Sequence, residues 1–376
     1  MSSAPPVAKG LDHVVVDRSR ISWVGGATGE LVYRGFEIDA LVPGVPYESA
    51  VHLLLEGEPP SADPSPEVTL ALRRHREASP GVLRVVDALP PGLPPLEALR
   101  TILSALGDGS FGYPPTREDG YRLIAQTPVL LGRYVRRSRG EPPLEPDPAL
   151  SHAENYLRSL TGHRPAPAIA RALESYLVLL ADHGMNASTF ALRVAISTQS
   201  DLASAATAAL ATLKGPLHGG APARVSEMLD AVQAPERAEA WIAERLARKE
   251  ILFGFGHRAY KTEDPRNLLL HAVARRVAEP ARLRLAEAVE AAGLAALRAA
   301  KPGARLYTNV EFYGAVVLEA VGLPPDLFTP TFAVARTAGW TAHALEQAAD
   351  NRLIRPEMEY VGPAPGRRWP RPRAAD

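Results

Sequence analysis

Past residue 33 the apolar residues of this chain recur at helical spacing, and that property rules out most sheet-based architectures. Alternation with period two, the mark of a strand, is confined to the start, at His13–Val16 and in ISWVGGATGELVYRG. Gly25 and Gly26 supply a turn there, so Ile21–Val24 and Leu31–Tyr33 are expected to form one small hairpin. Further on, Ile169, Leu173, Tyr176, Leu177 and Leu180 make one face of a helix, with Gly184 as its stop. Asp201 is placed to cap a helix running to Leu213, which GPLHGG ends. Asn267–Ala278 and Ala281–Ala300 read as two more helices, parted by Pro280. The expected fold class is therefore all-α with a small N-terminal β-hairpin.

At 376 residues the chain is comfortable as two domains. Proline-rich stretches at Pro59–Pro66, Leu89–Pro95 and Pro142–Pro148 punctuate the first half as loops, and no internal repeat is visible. Basic and acidic residues balance at 42 each, which leaves no electrostatic footprint for nucleic acid or a membrane surface. The absence of cysteine excludes disulfides, thiol nucleophiles and thiolate metal sites. The start, MSSAPPVAKGLDH, has no apolar signal core, and no apolar run reaches membrane-spanning length, so the chain is read as cytoplasmic. The last stretch, GPAPGRRWPRPRAAD, reads as a solvated tail.

Three of the ten histidines sit beside glycine rather than on a helix face: His183 in ADHGMNAST, His218 in GPLHGGA and His257 in GFGHRAYK. Glycine lets a ligand approach both ring and backbone, so the three together suggest a site where each alone would pass as structural. Zinc is a poor occupant, because no close ligand spacing such as HExxH exists. Arg266, Arg336 and Arg355 lie beside Pro, Gly or Thr in the last third, a setting that suits bidentate capture of carboxylates. GFGH lacks the GxGxxG spacing of a dinucleotide loop, and neither GxSxG nor a P-loop occurs. In TNVEFYGAVVLEAVG, Glu311 starts an amphipathic helix whose buried face is Val310, Tyr313, Val317 and Val321. A glutamate there also offsets the helix dipole.

GPLHGGA, GFGHRAYKTEDPR, ADHGMNASTF and DLFTPTFAVARTAGW together resemble the citrate synthase family, and the likeness runs from GLDHVVVDRSRISWV to IRPEMEYVGP. The resemblance implies a two-domain helical fold, with residues 1–218 and 326–376 as a large domain and 219–325 as a small one. It also implies a homodimer with shared active sites in the interdomain clefts, and closure of the small domain on oxaloacetate. The implied reaction, a step of the tricarboxylic acid cycle, joins acetyl-CoA to oxaloacetate to give citrate and CoA. No cofactor is permanently bound; the coenzyme A thioester is a co-substrate.

Carried across by motif, His218 resembles the group that hydrogen-bonds the acetyl thioester carbonyl, and Ser188 the hydroxyl that orients it. His257 is similar to the histidine that polarises the ketone. His183, Arg266 and Arg336 resemble carboxylate ligands, with Arg355 reaching in from the other subunit. Lys261 resembles a CoA phosphate contact, and the backbone of Ile251, Leu252, Phe253, Gly254, Phe255 and Gly256 the adenine-binding loop. One departure stands out: Glu311 occupies the place of the family's usual aspartate base. It puts rate and substrate in question, leaving two alternatives: 2-methylcitrate synthesis from propionyl-CoA, and an impaired oxaloacetate- and CoA-binding paralogue.

Overall fold

The computed structural model describes residues 7–11, 14–219, 221–303, 305–363 and 365–366. Among them are sixteen α-helices and one small sheet. The first half holds α1 Ile38–Leu41, α2 Tyr47–Glu56, α3 Pro66–Arg74, α4 Pro80–Ala88, α5 Pro95–Leu106, α6 Arg117–Ser138, α7 His152–Thr161 and α8 Pro167–Leu180. The second holds α9 Ala187–Ser197, α10 Leu202–Leu213, α11 Ala221–Val232, α12 Ala238–Ala247, α13 Pro265–Val277, α14 Pro280–Ala300, α15 Val310–Ala320 and α16 Phe328–Ala349. The fold is all-α, as the helical spacing predicts.

Helix starts follow local chemistry. Asp201 accepts the Ser204 N–H at 2.9 Å and opens α10, which ends at Leu213 as expected. Pro66, Pro95 and Pro280 occupy first-turn positions of α3, α5 and α14, where a missing N–H costs nothing. Pro66 and Pro95 thus belong to helices rather than to the loops assigned to them. Likewise α13 begins two residues before Asn267, capped by Asp264. Gly184 is not the stop of α8; the helix ends at Leu180, and Gly184 turns the chain toward α9 with φ +57°.

The long helix α16 is buried for most of its length and forms the axis on which α2, α6, α8 and α9 pack. Helices α11–α15 pack largely on one another: α13 lies on α15, α11 on α15, and α12 on α14. Helix α15 is not amphipathic. Val310, Phe312, Tyr313, Ala315, Val316, Val317 and Leu318 are all buried, so burial surrounds the helix and Glu311 stands near its start as a partly buried polar residue.

The hairpin forms with both strands reaching one residue closer to the turn than expected. Strand β1, Ser22–Gly25, pairs antiparallel with β2, Glu30–Tyr33, and a short β3, Phe36–Glu37, adds to β2. The turn's left-handed residue is Gly29, at φ +80°. Gly26 serves close approach instead: a Cβ there would lie 2.4 Å from the Ala259 carbonyl oxygen. Val14–Val16 form no strand and are exposed, while His13 lies outside the described residues, as does most of the C-terminal tail.

Candidate active site

Helix ends bring the side chains together. His183 lies between α8 and α9, His218 in the turn after α10, and His257 in the irregular segment between α12 and α13. Arg266 and Glu311 sit in the first turns of α13 and α15, and Arg336 lies midway along α16. The His183 and His257 rings meet edge to face, 5.5 Å between centroids. Tyr260 stands beside both, its hydroxyl 3.2 Å from His183 Nε2 and its ring 4.8 Å from that of His257.

Backbone donors fix the state of His257. Its Nδ1 accepts the N–H groups of Ala259 and Tyr260, each at 3.0 Å, so the ring's proton is on Nε2. Burial and the nearby Arg266 guanidinium hold its pKa down to about 4. The result at neutral pH is an uncharged N–H donor with fixed direction, suited to polarising a carbonyl. His218 is also fixed, with the opposite tautomer. Its Nε2 accepts the Ser188 backbone N–H at 3.2 Å, which leaves the proton on Nδ1, and burial followed by Arg336 lowers its pKa to about 4. His183 is driven well below the ordinary value by burial, then by Arg266 and His257.

The two arginines are built differently. Arg266 is buried and forked onto Asp264, with Nε to Oδ1 at 3.0 Å and Nη2 to Oδ2 at 2.8 Å. Burial works against its charge, but Asp264 outweighs burial and raises its pKa. Arg336 is 1% exposed, and its Nε donates to the Leu180 carbonyl at 2.7 Å. Its Nη2 is buried without a hydrogen-bond partner. A guanidinium held with an unmet donor invites an anion, since leaving it unmet costs about 1–3 kcal/mol or more for a charged group. The start of α9, α13 and α15 in the same region adds the positive ends of three helix dipoles.

A family model described as "Citrate synthase, C-terminal domain" matches residues 10–357. The chain belongs to the citrate synthase family. It is 39% identical over 373 residues to the citrate synthase of Haloferax volcanii, covering 94% of this chain and 95% of that one. It is 37% identical over 374 residues to 2-methylcitrate synthase 2 of Corynebacterium glutamicum, covering 96% and 97%. The crystal structure of citrate synthase from Thermotoga maritima superposes with a TM-score of 0.86 at 36% identity, covering 97% of this chain and 98% of that one. A ternary complex of citrate synthase from Thermoplasma acidophilum with carboxymethyl coenzyme A and oxaloacetate superposes with a TM-score of 0.89 at 29% identity, over 97% and 98%. The protein is an enzyme of this citrate synthase kind.

Around this citrate synthase core the remaining expected residues divide. The segment Ile251–Gly256 is stitched to the approach to α15. Gly256 N–H donates to the Tyr307 carbonyl at 2.7 Å, Asn309 N–H to Gly254 at 2.9 Å, and Asn309 Nδ2 to Gly256 at 2.9 Å. Lys261 is exposed just beyond, its Nζ 3.2 Å from the Arg258 carbonyl. Arg355 is not brought to the other residues within this chain; it lies exposed on the irregular segment after α16.

Several residues of the citrate synthase site went unremarked in the sequence. Tyr260 is one. Asp182 is another: fully buried, it accepts hydrogen bonds from Ser22 Oγ and from Gly184 N–H, the latter at 2.9 Å, and so fastens the His183 turn to β1. Burial pushes its pKa up, but His343 and then Arg336 outweigh this and hold the carboxyl below the usual range. Tyr33 of β2 donates to the Asp182 carbonyl at 2.8 Å. The adjacency of Asp182 to His183 was the only local signal for it. The large surface depression lined by Leu55, Thr116, Arg117 and Leu345, about 540 Å³, contains none of these groups.

Proposed function

We propose that this enzyme condenses acetyl-CoA with oxaloacetate and hydrolyses the product thioester to citrate and CoA, placing it in the tricarboxylic acid cycle. The observation that carries the reading is the pairing of two buried guanidiniums with a neutral His257, whose Nδ1 is occupied by backbone donors and whose Nε2 lies 3.4 Å from Arg266 Nη2. A dicarboxylate bearing a ketone matches that set: Arg266, Arg336 and His183 take the carboxylates, and His257 takes the ketone oxygen. Glu311 removes a proton from the acetyl methyl group while His218 Nδ1–H hydrogen-bonds the thioester oxygen, because so weak a carbon acid needs base and donor together. The enol carbon then bonds to the polarised ketone carbon, whose oxygen is protonated, and citryl-CoA forms. Water cleaves its thioester, releasing citrate and CoA.

The segment Ile251–Gly256 and Lys261 hold CoA, Ser188 orients His218, and Arg355 serves the site of a second copy of the chain in a homodimer. Residues 219–325, which contain α11–α15, form the small domain that closes over the cleft and expels water. The ternary complex named above, with its CoA analogue and oxaloacetate, supports both substrate assignments.

The test is release of CoA thiol with each substrate omitted in turn, using acetyl-, propionyl- and butyryl-CoA. Oxaloacetate-dependent release with the highest kcat/KM for acetyl-CoA is expected. No oxaloacetate-dependent release would overturn the reading. A preference for propionyl-CoA would move it to 2-methylcitrate synthesis, because one methylene changes discrimination by only about 1–3 kcal/mol.

A further inference from the structure

The substrate-binding arginine and the helix that carries the base meet at one buried carboxylate. Asp264 is 1% exposed. Its Oδ1 accepts Arg266 Nε at 3.0 Å and the Arg266 backbone N–H at 3.1 Å. Its Oδ2 accepts Arg266 Nη2 at 2.8 Å and, on the other side, the Val310 backbone N–H at 3.0 Å. Val310 is the first residue of α15 and the neighbour of Glu311.

The rest of that first turn is pinned in the same manner. Asn309 Oδ1 accepts the Glu311 N–H at 3.0 Å. Asn267, one residue past Arg266, accepts the Tyr313 N–H at 3.1 Å and donates to Thr308 Oγ1 at 2.8 Å. Glu290 receives both Thr308 Oγ1 and, at 2.6 Å, the Tyr313 hydroxyl. The N–H groups of Val310, Glu311 and Tyr313 at this helix start are thus answered by side chains, two of them from the N-cap and first turn of α13. The starts of α13 and α15 are locked together, and Asp264 is where the lock touches Arg266.

We propose that Asp264 is a positioning residue that couples occupancy of Arg266 by the first substrate to the placement of Glu311 for proton removal. A carboxylate arriving at Arg266 draws on a guanidinium already shared with Asp264. Any shift of that fork is passed through Oδ2 to the Val310 N–H, and so to the backbone of Glu311. Placement at this level matters, since an error of about 1 Å in a reacting group can cost on the order of a hundredfold in rate. The inference rests on the reading of Glu311 as the base.

The experiment is a double-mutant cycle on the full-length enzyme, using Asp264→Glu, Asp264→Asn and Glu311→Gln with steady-state kcat and oxaloacetate KM. Asp264→Glu keeps the charge and the pairing with Arg266 but displaces the acceptor from Val310, so it serves even if Asp264→Asn fails to fold. Expected are a fall in kcat of about tenfold or more for Asp264→Glu, and about a hundredfold or more for Glu311→Gln. The double variant should be within about twofold of Glu311→Gln, because a displaced base costs nothing once the base is gone. A double variant that loses the product of the two effects would overturn the coupling and leave Asp264 a plain structural residue, as would wild-type kcat in Asp264→Glu. Full activity in Glu311→Gln would instead sink the base assignment beneath it.

Discussion

Ser188 meets His218 twice: its Oγ lies 2.9 Å from His218 Nε2, and its backbone N–H donates to the same nitrogen at 3.2 Å. The backbone contact alone dictates the tautomer, so the hydroxyl adds orientation rather than protonation state. That hydroxyl has one proton to share between His218 Nε2 and Asn186 Oδ1, 2.8 Å away, and it accepts Trp340 Nε1–H at 3.4 Å.

Ser188→Ala removes one hydrogen bond to a ring already fixed by another. A net hydrogen bond contributes about 0.5–1.5 kcal/mol, so kcat/KM for acetyl-CoA should fall by roughly 2- to 12-fold, with oxaloacetate KM little changed. A loss beyond about a hundredfold, on the scale of removing a dedicated transition-state donor, would show that the hydroxyl acts on the substrate directly.

Acid should weaken the fold before it touches the histidine tautomers. Burial holds His152 down to about 3, and His218 and His257 to about 4. In the unfolded chain such groups titrate near about 6.5. Between these values the unfolded state takes up protons that the folded state refuses, so stability falls as pH drops from 6.5 toward 4. Glu174 opposes this, since burial and then Glu48 raise it to about 7 and the folded state binds its proton first. The histidines, His183 included, outnumber it. The urea midpoint should be lower at pH 5 than at pH 7, while His218 and His257 contribute no ionisation to kcat/KM between about pH 5.5 and 8. An equal or higher midpoint at pH 5 would contradict the assignment of neutral buried rings.

If Arg355 serves a second copy, two inactive variants should repair each other. Mixed after subunit exchange, Arg355→Ala and His257→Ala chains form hybrids in which one of the two sites carries neither lesion. About a quarter of wild-type turnover is the ceiling for random mixing of equal amounts with each homodimer inactive, as expected for closed two-fold assemblies. Absence of any recovery, with exchange demonstrated by differently tagged chains, would place Arg355 outside the site.

What could be read in the sequence was local. Asp201, Pro280 and the hairpin glycines act on neighbours within a few positions, so their effects are written in adjacent letters. His183, His218, His257, Arg266 and Arg336 stand out by motif, and the structure brings them near one another, the two guanidiniums buried and the rings largely so. Asp264 and Asp182 were not visible as site residues, because each acts through partners far along the chain: Val310 for one, Ser22 and His343 for the other. The all-round burial of α15 was missed for a related reason. The period marks Val310, Tyr313, Val317 and Val321 as one buried face, but Phe312, Val316 and Leu318 are buried as well, because α11, α13 and α8 cover the helix from several directions.

Gly26 gives the site a history as well as a shape. The hairpin tip, far ahead of the His257 loop in the sequence, accepts the Lys261 N–H at 2.7 Å and presses against Ala259. The loop of His257 therefore takes its seat on residues placed far earlier in the chain. Closing so long a span comes at an entropic cost that local helix formation does not share. An N-terminal truncation past residue 26 would leave the helices their own interior but deprive the His257 loop of its resting place, so the proposed chemistry depends on a stretch of chain that carries none of the candidate site residues.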